Sequence, residues 1–206
     1  MKSESYNVDD ANLLILELTE TVDELLEEYQ LSDIETIEFN KLVSEKRRLE
    51  YIGVRFALKM LLGNTVLIEY DADGKPFLAD KSYQISVSHS KNFMAVIAHP
   101  DRHVGIDIEC PSAKIEKIYK RFLSEKEQIA FSEGKDIRQL QIAWSAKEAL
   151  FKIIGNQAVD FANQLELFPF EANSTGKIKA KHIPTDSRYE LHYFNTSDYT
   201  LAYCLV

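Results

Sequence analysis

The sequence lacks a hydrophobic run of about 18 residues, which a membrane-spanning helix would need. Its first residues, Met1 to Ser5, also lack the charged and then apolar pattern of a signal peptide. We therefore expect a cytoplasmic protein that has no membrane partner. Its two cysteines, Cys110 and Cys204, are too few for a disulfide framework and lack the spacing of a metal site, so we expect reduced, packed thiols, with pairing between them left open.

The chain also lacks an excess of basic residues. It has 24 Lys and Arg against 33 Asp and Glu, for a net charge of -9, which argues against broad nucleic-acid binding. Basic residues are nevertheless clustered in two places, each of which, taken alone, is typical of a solvated helix face. The first cluster is Lys46, Arg47 and Arg48 with Arg55, and the second is Lys114, Lys117, Lys120, Arg121 and Lys126.

Apolar periodicity predicts an α+β protein, and 206 residues with 45% hydrophobic content provide for one large domain or two small ones. Ser124 and Glu127 predict a capping box at the start of a helix, and Ser88-His89-Ser90 reads as the connection of a hairpin. The pattern predicts helices over 21–30, 40–62 and 136–154 and strands over 13–18, 66–70, 84–87, 93–98, 104–109, 165–168, 177–183, 189–194 and 199–206.

The order of these elements repeats along the chain. A long helix precedes a group of strands in both parts, and Gly74-Lys75 in the first strand group is matched by Gly176-Lys177 in the second. We interpret this internal repeat as two α+β halves of similar topology, residues 1–103 and 104–206.

Two segments carry carboxylates that could act together. In a strand over 104–109, Asp107 and Glu109 stand at i and i+2 and therefore on one face. In the helix over 136–154, Glu148 and Lys152 stand at i and i+4. Three such acids suit Mg²⁺ and a phosphate-bearing substrate, with Lys152 able to neutralise a pyrophosphate oxygen. The alternative for Asp107 and Glu109 is the solvent-exposed face of an edge strand. The alternative for Glu148 and Lys152 is a surface ion pair. We expect Gly105 to let the strand lie close to a cofactor.

Taken together, these motifs resemble a known family. Gly-Ile-Asp-x-Glu, then Trp-Ser-x-Lys-Glu-Ala-x-x-Lys with Glu148 lying 41 residues past Asp107, resembles the paired signature of the 4′-phosphopantetheinyl transferase superfamily. Gly74-Lys75-Pro76 and Ser88-His89-Ser90 resemble the upstream motifs of its longer, surfactin-synthetase-activating type. The four matches fall in the family's order between residues 74 and 152.

The resemblance implies an activity and a fold. Such enzymes transfer the 4′-phosphopantetheine arm of coenzyme A to a serine of an apo acyl or peptidyl carrier protein and release 3′,5′-ADP. The longer type is a monomer, a pseudo-dimer of two similar halves with the cofactor in the cleft between them. By resemblance, Asp107, Glu109 and Glu148 hold Mg²⁺, Glu148 is the general base, and Lys152 stabilises charge on the pyrophosphate.

The resemblance also implies a binding site for coenzyme A. Lys75 and Pro76 line its adenine side, and Ser88 and His89 contact phosphate, His89 at the 3′-phosphate. Candidates for the 3′-phosphate are the cluster residues Lys46, Arg47, Arg48 and Arg55. The second basic cluster is a candidate docking site for the carrier protein. Alternative functions are a non-catalytic module that binds coenzyme A or a nucleotide, and a Mg²⁺-dependent pyrophosphohydrolase. Mn²⁺ in place of Mg²⁺ and the identity of the carrier stay open.

Overall fold

The computed structural model describes residues 1–131, 136–155 and 159–206, and it has the helices and strands predicted for an α+β protein. The strands are β1 Lys2–Val8, β2 Ala11–Glu17, β3 Ile68–Tyr70, β4 Pro76–Leu78, β5 Gln84–Ser90, β6 Phe93–His99, β7 Val104–Glu109, β8 Leu165–Leu167, β9 Thr175–His182, β10 Ser187–Asn195 and β11 Thr200–Leu205. The α-helices are α1 Val22–Glu28, α2 Asp33–Asn40, α3 Glu45–Leu62, α4 Ile115–Ile118, α5 Glu125–Ala130, α6 Ile137–Ile154 and α7 Phe161–Gln164.

The first large sheet has the antiparallel order β1-β2-β6-β5, and helix α3 packs against β2 and β6. Leu14 and Leu16 of β2 and Val96 of β6 form a core with Ile52 and other buried residues of α3. Helix α3 ends at Gly63, whose φ of 77° is the left-handed conformation that favours glycine at a helix C-terminus.

The second large sheet has the order β7-β11-β10-β9-β8, and helix α6 packs against β7 and β11. The side chain of Asp136 caps the start of α6 by accepting hydrogen bonds from two backbone N–H groups. The helix ends at Gly155, which has a φ of 67°. Its buried side includes Leu140, Ala146 and Leu150, which pack on the second sheet.

The two sheets share a third core between them. Leu13 and Ile15 of β2 face Ile106 of β7 and Leu201 of β11 in this layer. Alternate residues of β2 thus face either α3 or the other sheet, which explains why this strand is a continuous apolar run. The strand order also repeats, since β6 lies between β2 and β5 and β11 lies between β7 and β10.

Several boundaries differ from the sequence prediction. Ser88-His89-Ser90 extends strand β5, and the hairpin turns at Lys91, which has a φ of 52°. The helix predicted to begin at 40 starts at Glu45, and α2 precedes it with a capping box formed by Ser32 and Glu35. Strand β1 was not predicted, because most of its residues are polar and exposed and its order comes from pairing with β2.

The expectations for one helix start and for the two cysteines are confirmed. The capping box of Ser124 and Glu127 begins α5. Both cysteines are buried free thiols. None of the helices in the described ranges combines the length and apolar character required to cross a bilayer.

Candidate active site

Strands β5 and β7 meet edge to edge, and serine side chains join them. Ser86 and Ser90 of β5 accept hydrogen bonds from the backbone N–H groups of Ile106 and Cys110, each at 3.1 Å. Because residues two apart in a strand share a face, Ser86, Ser88 and Ser90 all point at β7. The first sheet therefore supports the edge strand that carries the predicted metal ligands.

Asp107 is buried on this edge, with 4% of its surface exposed. Its Oδ1 accepts hydrogen bonds from Ser88 Oγ at 2.9 Å and from Lys152 Nζ at 3.0 Å. Lys152 Nζ also donates to the carbonyl of Ile106 at 2.7 Å. The other oxygen, Oδ2, is buried and has no hydrogen-bond partner among the described residues. A buried, unpartnered carboxylate oxygen is suited to accept a cation.

Glu109 is held at both oxygens. Ser90 Oγ donates to Oε2 at 2.9 Å, and the indole N–H of Trp144 donates to Oε1 at 3.1 Å. Burial raises the pKa of Glu109, and the negative charge of Asp107 raises it further. Glu109 is therefore oriented by residues of β5 and α6.

Glu148 lies on the turn of α6 that faces these acids. Burial raises its pKa from 4.5 to about 7, Asp107 adds to the increase, and Lys152 opposes it. A carboxylate with a pKa near neutrality can accept a proton at neutral pH and release it again, which is the property of a general base. The i and i+4 spacing left open a surface ion pair between Glu148 and Lys152. Lys152 Nζ instead bonds to Asp107 Oδ1 and so joins α6 to β7.

The three acids do not form a complete metal site by themselves. Within the described ranges, no group of three or more His, Cys, Asp and Glu side chains is arranged as a complete metal site. Ser90 and Trp144 donate hydrogen bonds to the two oxygens of Glu109. The open oxygen of Asp107 and the nearby Glu148 nevertheless have the hard-donor chemistry that Mg²⁺ prefers.

Gly105 lies against helix α6. A Cβ at this position would overlap the backbone carbonyl oxygen of Ala149 and approach Ile153 Cγ1. The expectation that Gly105 brings the strand close to a cofactor is therefore corrected: the missing side chain lets β7 pack closely on α6. This close approach brings Asp107 and Glu148 together.

A cavity of about 480 Å³ lies next to these acids. It is lined by residues of α3, the turn before β4, strand β5 and the C-terminal end of α6. Of the predicted binding residues, Arg47, Lys75, Pro76, His89 and Lys152 line it. Its size is in the usual range for small-molecule sites, and its charged lining side chains include three permanent cations.

The turn before β4 presents Lys75 to this cavity. The backbone N–H groups of Asp73 and Lys75 donate to Asp71 Oδ1 at 2.9 and 2.8 Å, and Gly74 has a φ of 81°. An Asx-type turn with a left-handed glycine brings the backbone back on itself, so Lys75 and Pro76 face the cavity.

His89 lies in a positively charged part of the cavity wall. Its Nε2 is 3.4 Å from Glu50 Oε2. Burial lowers the pKa of His89 most, Glu50 raises it, and the cations Lys152, Lys46 and Arg47 lower it. The electrostatic environment of His89 is therefore set by three cations and one carboxylate.

Four of the predicted phosphate-binding residues do not line the cavity: Lys46, Arg48, Arg55 and Ser88, whose hydroxyl donates to Asp107. Arg55 is completely buried, and its Nε donates to Glu35 Oε1 at 2.8 Å. Arg48 Nε donates to the carbonyl of Leu42 at 2.8 Å, and its guanidinium lies 5.3 Å from the centre of the Phe39 ring. Neither arginine lines the cavity, so the structure does not support their assignment to the 3′-phosphate.

The second basic cluster lies on the surface formed by α4, the 3₁₀ helix Tyr119–Arg121 and α5. Its members Lys114, Lys117, Lys120, Arg121 and Lys126 are all exposed. Lys126 donates to Glu166 at 2.5 Å. The other four charges are therefore the ones best placed to meet a partner.

Sequence reasoning missed the role of Lys147. This lysine is completely buried, and its Nζ donates to Glu127 and to the carbonyls of Phe122, Phe161 and Leu165 at 2.6 to 2.9 Å. Its position within an otherwise apolar helix face was the available signal, since a buried lysine needs several acceptors. Glu50 in the cavity wall was also missed.

Comparisons with known proteins agree with the motifs. Residues 103–204 match the family model described as the 4′-phosphopantetheinyl transferase superfamily. The chain is 32% identical over 125 residues to a Xenopus laevis protein named L-aminoadipate-semialdehyde dehydrogenase-phosphopantetheinyl transferase. This match covers 52% of the chain and 40% of the Xenopus protein, so the aligned region is less than half of that relative. The chain belongs to the 4′-phosphopantetheinyl transferase superfamily.

Proposed function

We propose that this protein transfers the 4′-phosphopantetheine arm of coenzyme A to a serine hydroxyl of an apo carrier protein. The observation that carries this proposal is the cavity lined by Arg47, Lys75, His89 and Lys152, because Lys152 at its inner side bonds directly to Asp107. A pocket lined with cations beside a group of carboxylates suits a nucleotide with a pyrophosphate and a second phosphate.

The reaction follows from the chemistry of coenzyme A. The serine oxygen attacks the β-phosphorus, the bond from that phosphorus to the bridging oxygen breaks, and 3′,5′-ADP leaves. Glu148 accepts the serine proton; without a bound cation, burial and Asp107 raise the pKa of this carboxyl to about 7. Lys152 balances the negative charge that grows on the leaving phosphate.

A divalent cation belongs to the proposal. Asp107 supplies a buried, unpartnered oxygen for it, and Glu148 supplies a second carboxylate. Glu109, the third predicted ligand, would have to exchange its hydrogen bond from Ser90 or from Trp144 for the cation. When bound, Mg²⁺ or Mn²⁺ would neutralise pyrophosphate charge and polarise the phosphorus. Ser88 acts through Asp107, since it donates a hydrogen bond to Oδ1 and leaves Oδ2 open.

We further propose that the protein is of the longer, monomeric type and acts in the cytoplasm. The repeated strand order, with a long helix in each half, supports two like halves, and the cavity has lining residues from both. The carrier protein would dock on the exposed basic cluster of Lys114, Lys117, Lys120 and Arg121, because carriers of this family are acidic near the modified serine.

The test is incubation with coenzyme A, Mg²⁺ and a panel of apo carrier proteins, followed by mass measurement of each carrier. We expect at least one carrier to gain a phosphopantetheine group and 3′,5′-ADP to appear. Asp107→Ala and Glu148→Ala should abolish the gain, whereas Glu69→Gln, an exposed change on β3, should retain it.

Three outcomes would contradict the proposal. Retention of more than about a tenth of the wild-type rate in either alanine variant would remove the proposed roles of these acids. Release of 3′,5′-ADP without a change in any carrier would indicate a pyrophosphohydrolase. Binding of coenzyme A without either product would indicate a non-catalytic binding module.

A further inference from the structure

The cationic end of the cavity contains a carboxylate to which the proposed reaction assigns no role. Glu50 lies on helix α3, lines the cavity, and has 16% of its side-chain surface exposed. Arg47 Nη1 donates to its Oε2 at 3.0 Å. Lys46 Nζ lies 3.7 Å from its Oε1, and His89 Nε2 lies 3.4 Å from its Oε2. Three basic side chains therefore converge on one carboxylate.

These are the same side chains that a ligand phosphate would use. Arg47 and His89 line the cavity, and both direct their donor nitrogens at Oε2 of Glu50. A phosphate that binds to them must share or replace the contacts they make with Glu50. Because the phosphate and Glu50 are both negative, their proximity also costs Coulomb energy, and partial burial of Glu50 limits screening by water.

We propose, building on the proposed function, that Glu50 is a specificity-determining residue: an internal counter-ion that the 3′-phosphate of coenzyme A must displace from Arg47 and His89. Glu50 thereby weakens the binding of ligands that carry this phosphate and reduces the preference for coenzyme A over dephospho-coenzyme A. The leaving product, 3′,5′-ADP, retains the 3′-phosphate. Return of Arg47 and His89 to Glu50 would therefore favour its release.

If Glu50 instead supported phosphate binding, its removal would weaken the affinity for coenzyme A. Glu50 orients Arg47 and favours the protonated form of His89, so its loss could in principle weaken binding. A bound phosphate carries up to two negative charges and supplies both effects itself. The repulsion between two anions then decides the outcome, so removal of the Glu50 charge should tighten binding.

The experiment is calorimetric titration of the full-length protein in Mg²⁺, without carrier protein, with coenzyme A, dephospho-coenzyme A and 3′,5′-ADP. Glu50→Gln keeps the shape of the side chain and removes its charge. We expect it to bind coenzyme A and 3′,5′-ADP about tenfold tighter and to change the affinity for dephospho-coenzyme A less than about twofold. The matched control is Glu45→Gln, an exposed glutamate in the first turn of the same helix, which should change none of the three.

The outcomes separate the two proposals. Unchanged or weaker binding of coenzyme A by Glu50→Gln, or equal tightening for all three ligands, would overturn the role of Glu50 alone. Failure of the wild-type protein to bind coenzyme A at all would overturn the proposed function, and the role of Glu50 with it. A thermal melt of Glu50→Gln close to that of the wild type shows that the comparison concerns folded protein.

Discussion

Glu148→Gln tests the electrostatics of the candidate site in the absence of any substrate. Burial and the negative charge of Asp107 raise the pKa of Glu148 from 4.5 to about 7 in the folded protein. Each pKa unit corresponds to about 1.4 kcal/mol, so ionising Glu148 in the metal-free protein costs on the order of 3 kcal/mol of folding free energy. Glutamine has a similar shape and no charge, and therefore removes this cost.

The pH dependence has a definite sign. Below the unfolded-state pKa of 4.5, Glu148 is protonated in both states and carries no penalty. As the pH rises through 4.5 to about 7, the unfolded chain loses this proton more readily than the folded protein, so the wild type loses stability. Glu148→Gln should therefore match the wild type in acid and become more stable by about 2 to 3 kcal/mol above neutrality.

The assay is urea unfolding in a metal chelator at about pH 5, 7 and 8.5, followed by the fluorescence of Trp144, the single tryptophan. Glu69→Gln on β3 is the control, and its difference from the wild type should not depend on pH. A difference for Glu148→Gln that is constant across this range, or that shrinks as the pH rises, would refute the reasoning. Added Mg²⁺ should stabilise the wild type at high pH and should stabilise Glu148→Gln much less.

Three further predictions concern packing and docking. Gly105→Ala would force a methyl group against the carbonyl oxygen of Ala149, so we expect the free energy of unfolding to fall by about 2 kcal/mol or more. An unchanged free energy in urea unfolding would contradict the close approach of β7 to α6. Lys147→Met leaves the buried carboxylate of Glu127 without its counter-ion, although Ser124 and the backbone of Leu167 still donate hydrogen bonds to it. This change should cost about 3 to 5 kcal/mol of folding free energy, part of which Glu127→Gln should restore in the double variant. Equal losses in the single and double variants would argue against a coupled pair. Charge reversal of Lys117 and Lys120 together should raise the Michaelis constant for the carrier and leave that for coenzyme A unchanged, and an unaltered carrier constant in steady-state kinetics would refute docking there.

Sequence reasoning was most successful where the signal is local. The capping box of Ser124 and the ends predicted for the long helices at 62 and 154, each followed by a glycine, depend on residues within one or two turns of the same helix. The paired carboxylate motifs are also local patterns, with fixed spacings in a strand and a helix. They led to the superfamily, which the family match over residues 103–204 confirmed.

Sequence reasoning failed where a distant partner changes the meaning of a residue. Ser88-His89-Ser90 is polar and resembles a turn, but it continues β5 because it pairs with β6, and carboxylates of β7 accept hydrogen bonds from its two serine hydroxyl groups. Arg55 belongs to a basic cluster in the sequence, yet Glu35, 20 residues away, draws it into the core. Neither contact can be derived from the residues nearby in the chain.

The sequence by itself determined the α+β class, the C-terminal ends of the two long helices and the residues from which the site is built. The tertiary structure decided which of these residues meet. Lys152 of α6 bonds to Asp107 rather than to Glu148 because β7 packs on α6, and Glu50 of α3 faces His89 of β5. The physical reason is that helical and strand periods are set by neighbours along the chain. Hydrogen bonds and ion pairs between distant elements depend on which strands and helices pack together, and this packing is a property of the whole fold.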